Sequence, residues 1–577
     1  MSDNQSKNIR GLAVAAIMVL ALGVSVAWSG TAMATDETSD EKTIALFSDY
    51  LSGRFASTHR DTNVAASYLN RAVANDPDNV DLVRQAFSMS LASGDYDAAA
   101  SLAAKLATFE DQHTSLVDLV LTADAIRLAD YDLTLERLAV VGDEGIITLI
   151  DPLARAWIAA ERGDEVQVFA LLESLKASES FEIFGEIHEA YILDYLGHND
   201  RAISAYLKVL VRLEGTDLQV AFAYGNLLER IGKGKAAKLL YDEFLKRIPE
   251  NLMMAEARDR AAAGIIPSRF IRSPADGLAE AYFNTSRRLS NRRSRSPAQI
   301  YLRLTLMLRP DFPVAQLLMA SLMERDRLWD QALVEYEKFS GDPLYGWQAR
   351  FEKTVLLTRL DRSDEALADL RQMYIERPKD VAVLAALANL LRDKKEYAES
   401  TPYYNAVIKL IGEPEAAHWP LYYSRGVVLE RQGKWSRAEK DFRQALALQP
   451  EEPVVLNYLG YSWLEQGKNL DEALLMIEKA VEKRPEDGYV IDSLGWALYQ
   501  LKQYEESISW LEKAIMLQPE DPTINDHLGD AYWRHGRRLE ARFQWRHALV
   551  MKPPVEDVER IRKKLRDGLP DKHVRRR

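Results

Sequence analysis

In the C-terminal third of the chain, small and large apolar positions follow a pattern that returns on itself. Ala438, Ala473, Ser507 and Ala541 recur at one position, and Ala445, Ala480, Ala514 and Ala548 recur seven residues later. Two helical turns separate the members of each pair, so both lie on one face, where a larger side chain would push paired helices apart. Phe442, Ile477, Leu511 and Trp545 fill the space between them, and Trp463, Leu498 and Tyr532 answer from the preceding helix. Glycine and proline keep the same step. Gly426, Gly460, Gly495 and Gly529 lie 34, 35 and 34 residues apart, and Pro450, Pro485, Pro519 and Pro553 lie 35, 34 and 34 apart. Each proline ends a second helix and turns the chain into the next unit. The one longer spacing traces to an extra residue in the loop Gly467-Lys468-Asn469-Leu470, which a surface turn absorbs. The pattern predicts helical hairpins stacked side by side.

A period of about 34 residues is that of the tetratricopeptide helix-turn-helix unit. The expected fold is all-α, a right-handed superhelical solenoid that presents a long curved surface, so binding ranks ahead of catalysis. The phase can be followed backwards. Pro378 places a first helix around Leu387 and Ala388, and Pro310 places Ala320, Trp329, Ala332 and Tyr336. Gly225, Gly232, Ala237, Tyr241 and Pro249 form one unit, Gly197, Ala202 and Tyr206 another, and Gly53, Ala65, Leu69, Ala72 and Pro77 a third near the start. The estimate is roughly 12 to 14 repeats, spanning residues 44–553 and degenerate over 112–182. Gly264, Pro267, Ser273, Pro274 and Gly277 break the pattern. They suggest an irregular joint at 251–278 between an N-terminal superhelix (44–250) and a C-terminal one (279–553), with a capping helix and basic tail at 554–577.

The first residues decide the compartment. Lys7 and Arg10 precede an apolar run from Gly11 to Trp28, and Ala32-Met33-Ala34 offers a small-x-small cleavage site. Residues 1–34 therefore read as a secretory signal peptide, with a short flexible leader at 35–43. Retained instead, the 18-residue run just reaches the length of a membrane anchor. Either way the repeats are expected outside the cytoplasm. The chain has no cysteine, so it carries no disulfide, no thiol nucleophile and no cysteine for lipid attachment.

The net charge of -13 argues against nucleic acid as the main partner. Two basic patches depart from it, Arg287, Arg288, Arg292, Arg293 and Arg295, and the tail from Lys572 to Arg577. The first is a candidate docking patch for an acidic partner or anionic lipid, set against the plainer reading of a solvated surface.

Several segments carry a resemblance. Ala275-Asp276-Gly277-Leu278-Ala279-Glu280-Ala281, Leu308-Arg309-Pro310-Asp311-Phe312, Leu459-Gly460-Tyr461 and Asp492-Ser493-Leu494-Gly495-Trp496-Ala497-Leu498-Tyr499 resemble the bacterial periplasmic tetratricopeptide proteins typified by the outer-membrane lipoprotein LbcA. His527-Leu528-Gly529-Asp530 and Ala541-Arg542-Phe543-Gln544-Trp545 extend the likeness. What the resemblance implies is a periplasmic adaptor or envelope scaffold whose spiral binds a carboxyl-terminal processing protease and brings it substrates. The missing lipidation cysteine departs from that family.

In such repeats the first helix of each pair lines the concave side, through four recurring positions. Here these give Tyr423, Asn457, Tyr461, Tyr489, Asp492, Trp496, Tyr499, Asp526, Asp530 and Trp533, an aromatic and acidic wall. Tyrosine and tryptophan dominate binding hot spots because they offer large contact area at low entropic cost. Carboxylates in place of lysine or arginine disfavour a clamp for C-terminal carboxylates and favour segments with apolar and basic side chains. No catalytic motif, metal-ligand spacing or phosphate-cradling glycine loop is found, so no enzyme activity and no cofactor are expected. Two readings follow. One is a non-catalytic scaffold or adaptor for a processing protease and its clients; the other is an assembly factor for a secreted polymer, a secretion channel or an outer-membrane complex.

Overall fold

A computed structural model describes residues 37–109, 114–139, 146–249, 251–290 and 296–570, and every long regular element among them is an α-helix. The expected export segment at 1–34 and the tail beyond 570 lie outside the described residues. The chain divides between Arg350 and Phe351 into two compact units.

The first unit begins with α1 (Glu37–Thr58), α2 (Thr62–Asn75), α3 (Val80–Ser93), α4 (Tyr96–Leu106), α5 (Ser115–Arg127) and α6 (Tyr131–Leu138). It continues with α7 (Ile147–Glu161), α8 (Glu165–Lys176), α9 (Glu182–Tyr195), α10 (Asn199–Arg212), α11 (Leu218–Arg230) and α12 (Gly234–Arg247). These pair as successive antiparallel hairpins, including the stretch in which the sequence repeats fade. Local chemistry sets their ends. The side chains of Asp61, Asn79, Asp95, Asp130 and Asp164 accept the backbone N–H three residues on and so satisfy otherwise unpaired donors at each helix start.

The chain then continues as α13 (Leu252–Ala263), α14 (Pro274–Leu289), α15 (Ser296–Leu308), α16 (Pro313–Arg325) and α17 (Trp329–Glu337). All five still belong to the first unit, so the division of the chain falls well after 251–278. That segment contains α13, a short extended stretch and the first residues of α14. The α14/α15 hairpin does not extend the stack. It packs against α3, α5, α7 and α9, the first helices of four hairpins, and thereby fills their inner face. Every residue from Pro274 to Ser286 is buried.

Burial of so polar a helix needs partners. Arg272 donates to Asp276 Oδ2 at 3.0 Å and to Asp311 Oδ2 at 3.2 Å, and Arg309 Nη1 lies 3.4 Å from Glu280 Oε1. Glu280 is fully buried and its Oε2 has no partner. Burial pushes its pKa up to about 8, only partly offset by Arg309, so near neutral pH it holds its proton. In α7, Trp157 Nε1 donates to His188 Nδ1 at 3.1 Å, which makes that imidazole nitrogen an acceptor; burial holds the His188 pKa down to about 3.

The two groups act in opposite directions on stability. Glu280 binds its proton more tightly when folded, so its contribution is complete below its unfolded value of 4.5 and is lost as pH rises through about 8. His188 binds its proton less tightly when folded, so its contribution is present above 6.5 and is lost as pH falls towards about 3. Glu280→Gln should remove the alkaline loss. Thermal melts from pH 6.5 to 8, above the range in which His188 titrates, should flatten for the first unit, with a gain on the order of 2 kcal/mol at the alkaline end; an unchanged slope there would show that Glu280 is charged in the fold.

The second unit contains α18 (Gly346–Arg359), inside which the division falls, α19 (Ser363–Glu376), α20 (Val381–Asp393), α21 (Tyr397–Ile411), α22 (Trp419–Arg431) and α23 (Trp435–Leu448). The array ends with α24 (Pro453–Glu465), α25 (Leu470–Lys483), α26 (Gly488–Gln500), α27 (Tyr504–Leu517), α28 (Pro522–His535), α29 (Arg538–Val550) and α30 (Val555–Asp567). The recurring glycines permit close approach within hairpins: a Cβ on Gly529 would lie 2.5 Å from the Trp545 ring. Both units are helix-turn-helix arrays of the tetratricopeptide kind, as the period predicts. Among the described residues no helix is long and apolar enough to cross a membrane.

Candidate functional site

Within the second unit α20, α22, α24, α26 and α28 are the first helices of their hairpins, and neighbours in this series touch one another. They form its inner side. Among the described residues the corresponding side of the first unit is taken up by α14 and α15, and the open aromatic face lies on the second unit.

The ten residues singled out from the sequence divide into three acids, six aromatics and Asn457. The acids are spent inside the fold. Asp492 is buried against His527, whose Nδ1 lies 3.0 and 3.1 Å from its two oxygens. Burial opposes charge on that imidazole, but the carboxylates of Asp492, Asp526 and Asp530 outweigh it and raise its pKa. Asp526 accepts from Lys564 Nζ at 2.8 Å and from Arg560 Nη1 at 2.6 Å. Asp530 accepts from Lys564 Nζ at 2.7 Å and from Trp545 Nε1 at 2.9 Å. These carboxylates join each first helix to the next and hold α30 against α28. Their place in the expected acidic wall is therefore corrected: the solenoid consumes them.

The aromatic group is more accessible. Tyr423 is half-buried and meets Tyr458 edge to face at 5.7 Å. Trp496 is half-buried, stacked on Tyr499 at 4.6 Å and on His527 at 3.9 Å, and its Nε1 donates to Glu465 Oε1 at 2.7 Å. Tyr461 is half-buried, and burial beside Glu465 and Asp492 raises its hydroxyl pKa. Tyr489 is exposed, while Tyr499 is buried under Trp496. Trp533 lies 5.4 Å from Trp545 and covers Gly568 just beyond α30, so it serves the end of the array. Asn457 Oδ1 is buried without a hydrogen-bond partner.

Two contributors were missed. Tyr458 donates to Glu430 Oε2 at 3.2 Å, and Glu465 orients Trp496. Each couples neighbouring first helices across 28 to 31 residues, just short of one repeat. The surviving face is a ladder of Tyr423, Tyr458, Tyr461 and Trp496, edged by Glu430 and Glu465. The rings of Tyr423, Tyr458 and Trp496 are held by ring contacts and hydrogen bonds before any partner arrives, which lowers the ordering cost of binding.

The basic patch is only partly described. Arg292, Arg293 and Arg295 lie outside the described residues. Arg287 donates to Asp217 Oδ2 at 3.1 Å and Asn284 Oδ1 at 3.4 Å, so its charge is already engaged. Arg288 is exposed and sits over the Phe184 ring at 5.4 Å. Both line a cavity of about 690 Å³ with an apolar floor that includes Ile183, Ile187 and Leu213. Among the described residues there is no cluster of His, Cys, Asp or Glu able to hold a metal ion. The architecture is that of a binding scaffold.

Comparison with known proteins agrees with the repeat reading. Residues 495–536 match the family described as TPR repeat, and residues 423–488 match the family described as Tetratricopeptide repeat. The chain is 29% identical over 154 residues to the TPR repeat-containing protein PA4667 of Pseudomonas aeruginosa, a match that covers 26% of this chain and 25% of that protein. Among solved structures it is similar to a tetratricopeptide repeat protein from Parabacteroides merdae, at 15% identity, covering 44% of this chain and 97% of the other with a TM-score of 0.36. It is likewise similar to a chain of the APC/C hetero-tetramer Cut9-Hcn1, at 15% identity, covering 92% and 99% with a TM-score of 0.38. The chain is related to tetratricopeptide-repeat proteins.

Proposed function

We propose that this protein is an exported scaffold of the bacterial envelope, holding a carboxyl-terminal processing protease, its client proteins or both along the inner face of its second unit. The observation that carries the reading is the ladder Tyr423, Tyr458, Tyr461 and Trp496: large rings, three of them pre-oriented by their neighbours, on an inner face that the described residues leave open. The apolar run and small-residue site at 1–34 support export. The sequence resemblance to periplasmic tetratricopeptide adaptors supports a protease partner. Because the buried acids are neutralised internally, the partner segment is mainly apolar, with at most a few basic groups for Glu430 and Glu465.

The test is affinity capture from envelope extract followed by binding of the recovered protease to purified chain. Tyr461→Ala with Trp496→Ala should weaken binding roughly 100-fold, while far-ultraviolet circular dichroism shows the helices unchanged. Recovery of polymer-export, secretion-channel or barrel-assembly proteins without a protease would favour the assembly-factor reading instead. Undiminished protease binding by the double variant would remove the ladder from the interface.

A further inference from the structure

The two ends of the helical array are finished differently. At the C-terminal end, α30 turns Glu559, Arg562, Lys563 and Arg566 outward, the polar finish that keeps a terminal repeat soluble. At the N-terminal end, α1 turns out Ile44, Phe47, Leu51 and Phe55, exposed by 68, 60, 63 and 66%. Their spacing of three, four and four residues places them on one stripe. The opposite face of α1, through Leu46, Tyr50, Gly53 and Ala56, packs against α2. A helix apolar on two opposite faces is one built to be covered on both sides; among the described residues only the His59 ring, 4.1 Å from Phe55, lies against this one.

We infer that this stripe pairs with the α1 stripe of a second copy of the chain, antiparallel about a two-fold axis. The spacing itself is the argument for self-pairing. Reversed about a point between Asp49 and Tyr50, the stripe nearly maps onto itself: Ile44 falls opposite Phe55 of the second copy, and Phe47 falls beside its Leu51. A closed two-fold interface needs such a self-complementary patch. Charge raises no obstacle. Between Thr43 and Ser57 the only charged residues are Asp49, paired to Arg71 at 2.7 Å, and Arg54, hydrogen-bonded to Gln85 at 3.3 Å. The axis sets each opposite an uncharged residue, Asp49 against Tyr50 and Arg54 against Ala45. Pairing would give the scaffold two open ladders per assembly and raise the effective concentration of bound partners.

Sedimentation velocity of the purified chain over a concentration series is expected to show a monomer–dimer equilibrium. Phe47→Glu with Leu51→Glu should weaken it roughly 100-fold by burying two carboxylates in the interface. Val166→Glu, at a still more exposed apolar site on α8, should leave it unchanged. The absence of native cysteine makes orientation readable. Ser48→Cys lies close to the axis and should cross-link on oxidation, whereas Thr58→Cys places the two sulfurs about 25 Å apart along the helices and should not. A monomer at every concentration, a dimer indifferent to the two glutamates, or cross-linking of Thr58→Cys alone would overturn the inference. So would a monomer that floats with lipid vesicles through the same stripe.

Discussion

Lys564→Met is expected to release the last helix of the array. The Lys564 ammonium is nearly buried and lies 2.8 Å from both oxygens of Asp526 and 2.7 Å from Asp530, themselves almost wholly covered. Methionine keeps much of the apolar stem but leaves two buried carboxylates with too little positive charge. Removing one partner of a buried ion pair costs about 3–5 kcal/mol, because the remaining charge cannot recover its hydration. Arg560 still reaches Asp526, so the burden falls mainly on Asp530. Burial already raises the pKa of that group against the pull of Lys564 and Trp545. Without Lys564 it should rise further, and the variant should regain stability as pH falls and Asp530 takes up a proton. Hydrogen exchange should show early opening of α30 and α28, while the first unit exchanges as before. Adding Asp530→Asn should restore more than half of the loss. If Lys564→Met unfolds no more easily than Lys563→Met, which alters an exposed neighbour, the cap is held by its apolar contacts and not by charge.

That buried cluster shows how far the sequence could be read. The repeat period, the small-residue face and the glycines beneath large side chains are local or strictly periodic signals, and they located the hairpins correctly. The assignment of Asp492, Asp526 and Asp530 to an open groove used position within one repeat and ignored the repeat that follows. His527, Arg560 and Lys564 stand 35, 34 and 34 residues beyond those acids. Opposite charges one period apart on first helices mark links between repeats, and that signal was present in the sequence. The location of α14 was not readable in the same way. Asp276, Glu280 and Asn284 recur every four residues and mimic the solvated face of a surface helix. Arg272 and Arg287 answer Asp276 and Asn284 from the same or the adjoining turn, but Arg309 reaches Glu280 from 29 residues away and Asp217 reaches Arg287 from 70. A polar stripe reads as surface unless the matching polar groups are known to converge on it.

Gly277→Ala should drive α14 out of the first unit. A Cβ at this position would fall inside the Trp157 indole, within 2.5 Å of Cδ2 and Cζ2, and the ring is fully buried. It cannot turn away freely, because its Nε1 is bonded to His188 and its face meets Tyr195 edge-on at 5.6 Å. Overpacking of this kind costs about 1–3 kcal/mol in ordinary cores and more where no neighbour can yield; here the expected cost is on the order of 4 kcal/mol. Loss of the helix would also expose the unpartnered groups around Glu280 to water, so opening should be cooperative along all of α14. Limited proteolysis should cut near residues 264–273 in the variant before it cuts elsewhere, with the second unit left intact. A double-mutant cycle isolates the cause. Trp157→Ala alone removes a large buried ring and should cost about 3–5 kcal/mol, but combined with Gly277→Ala it makes room for the new methyl group. The two losses should fall short of additivity by more than about 1 kcal/mol. Additive losses would mean that the glycine is required for the backbone of α14 and not for the close passage of Trp157.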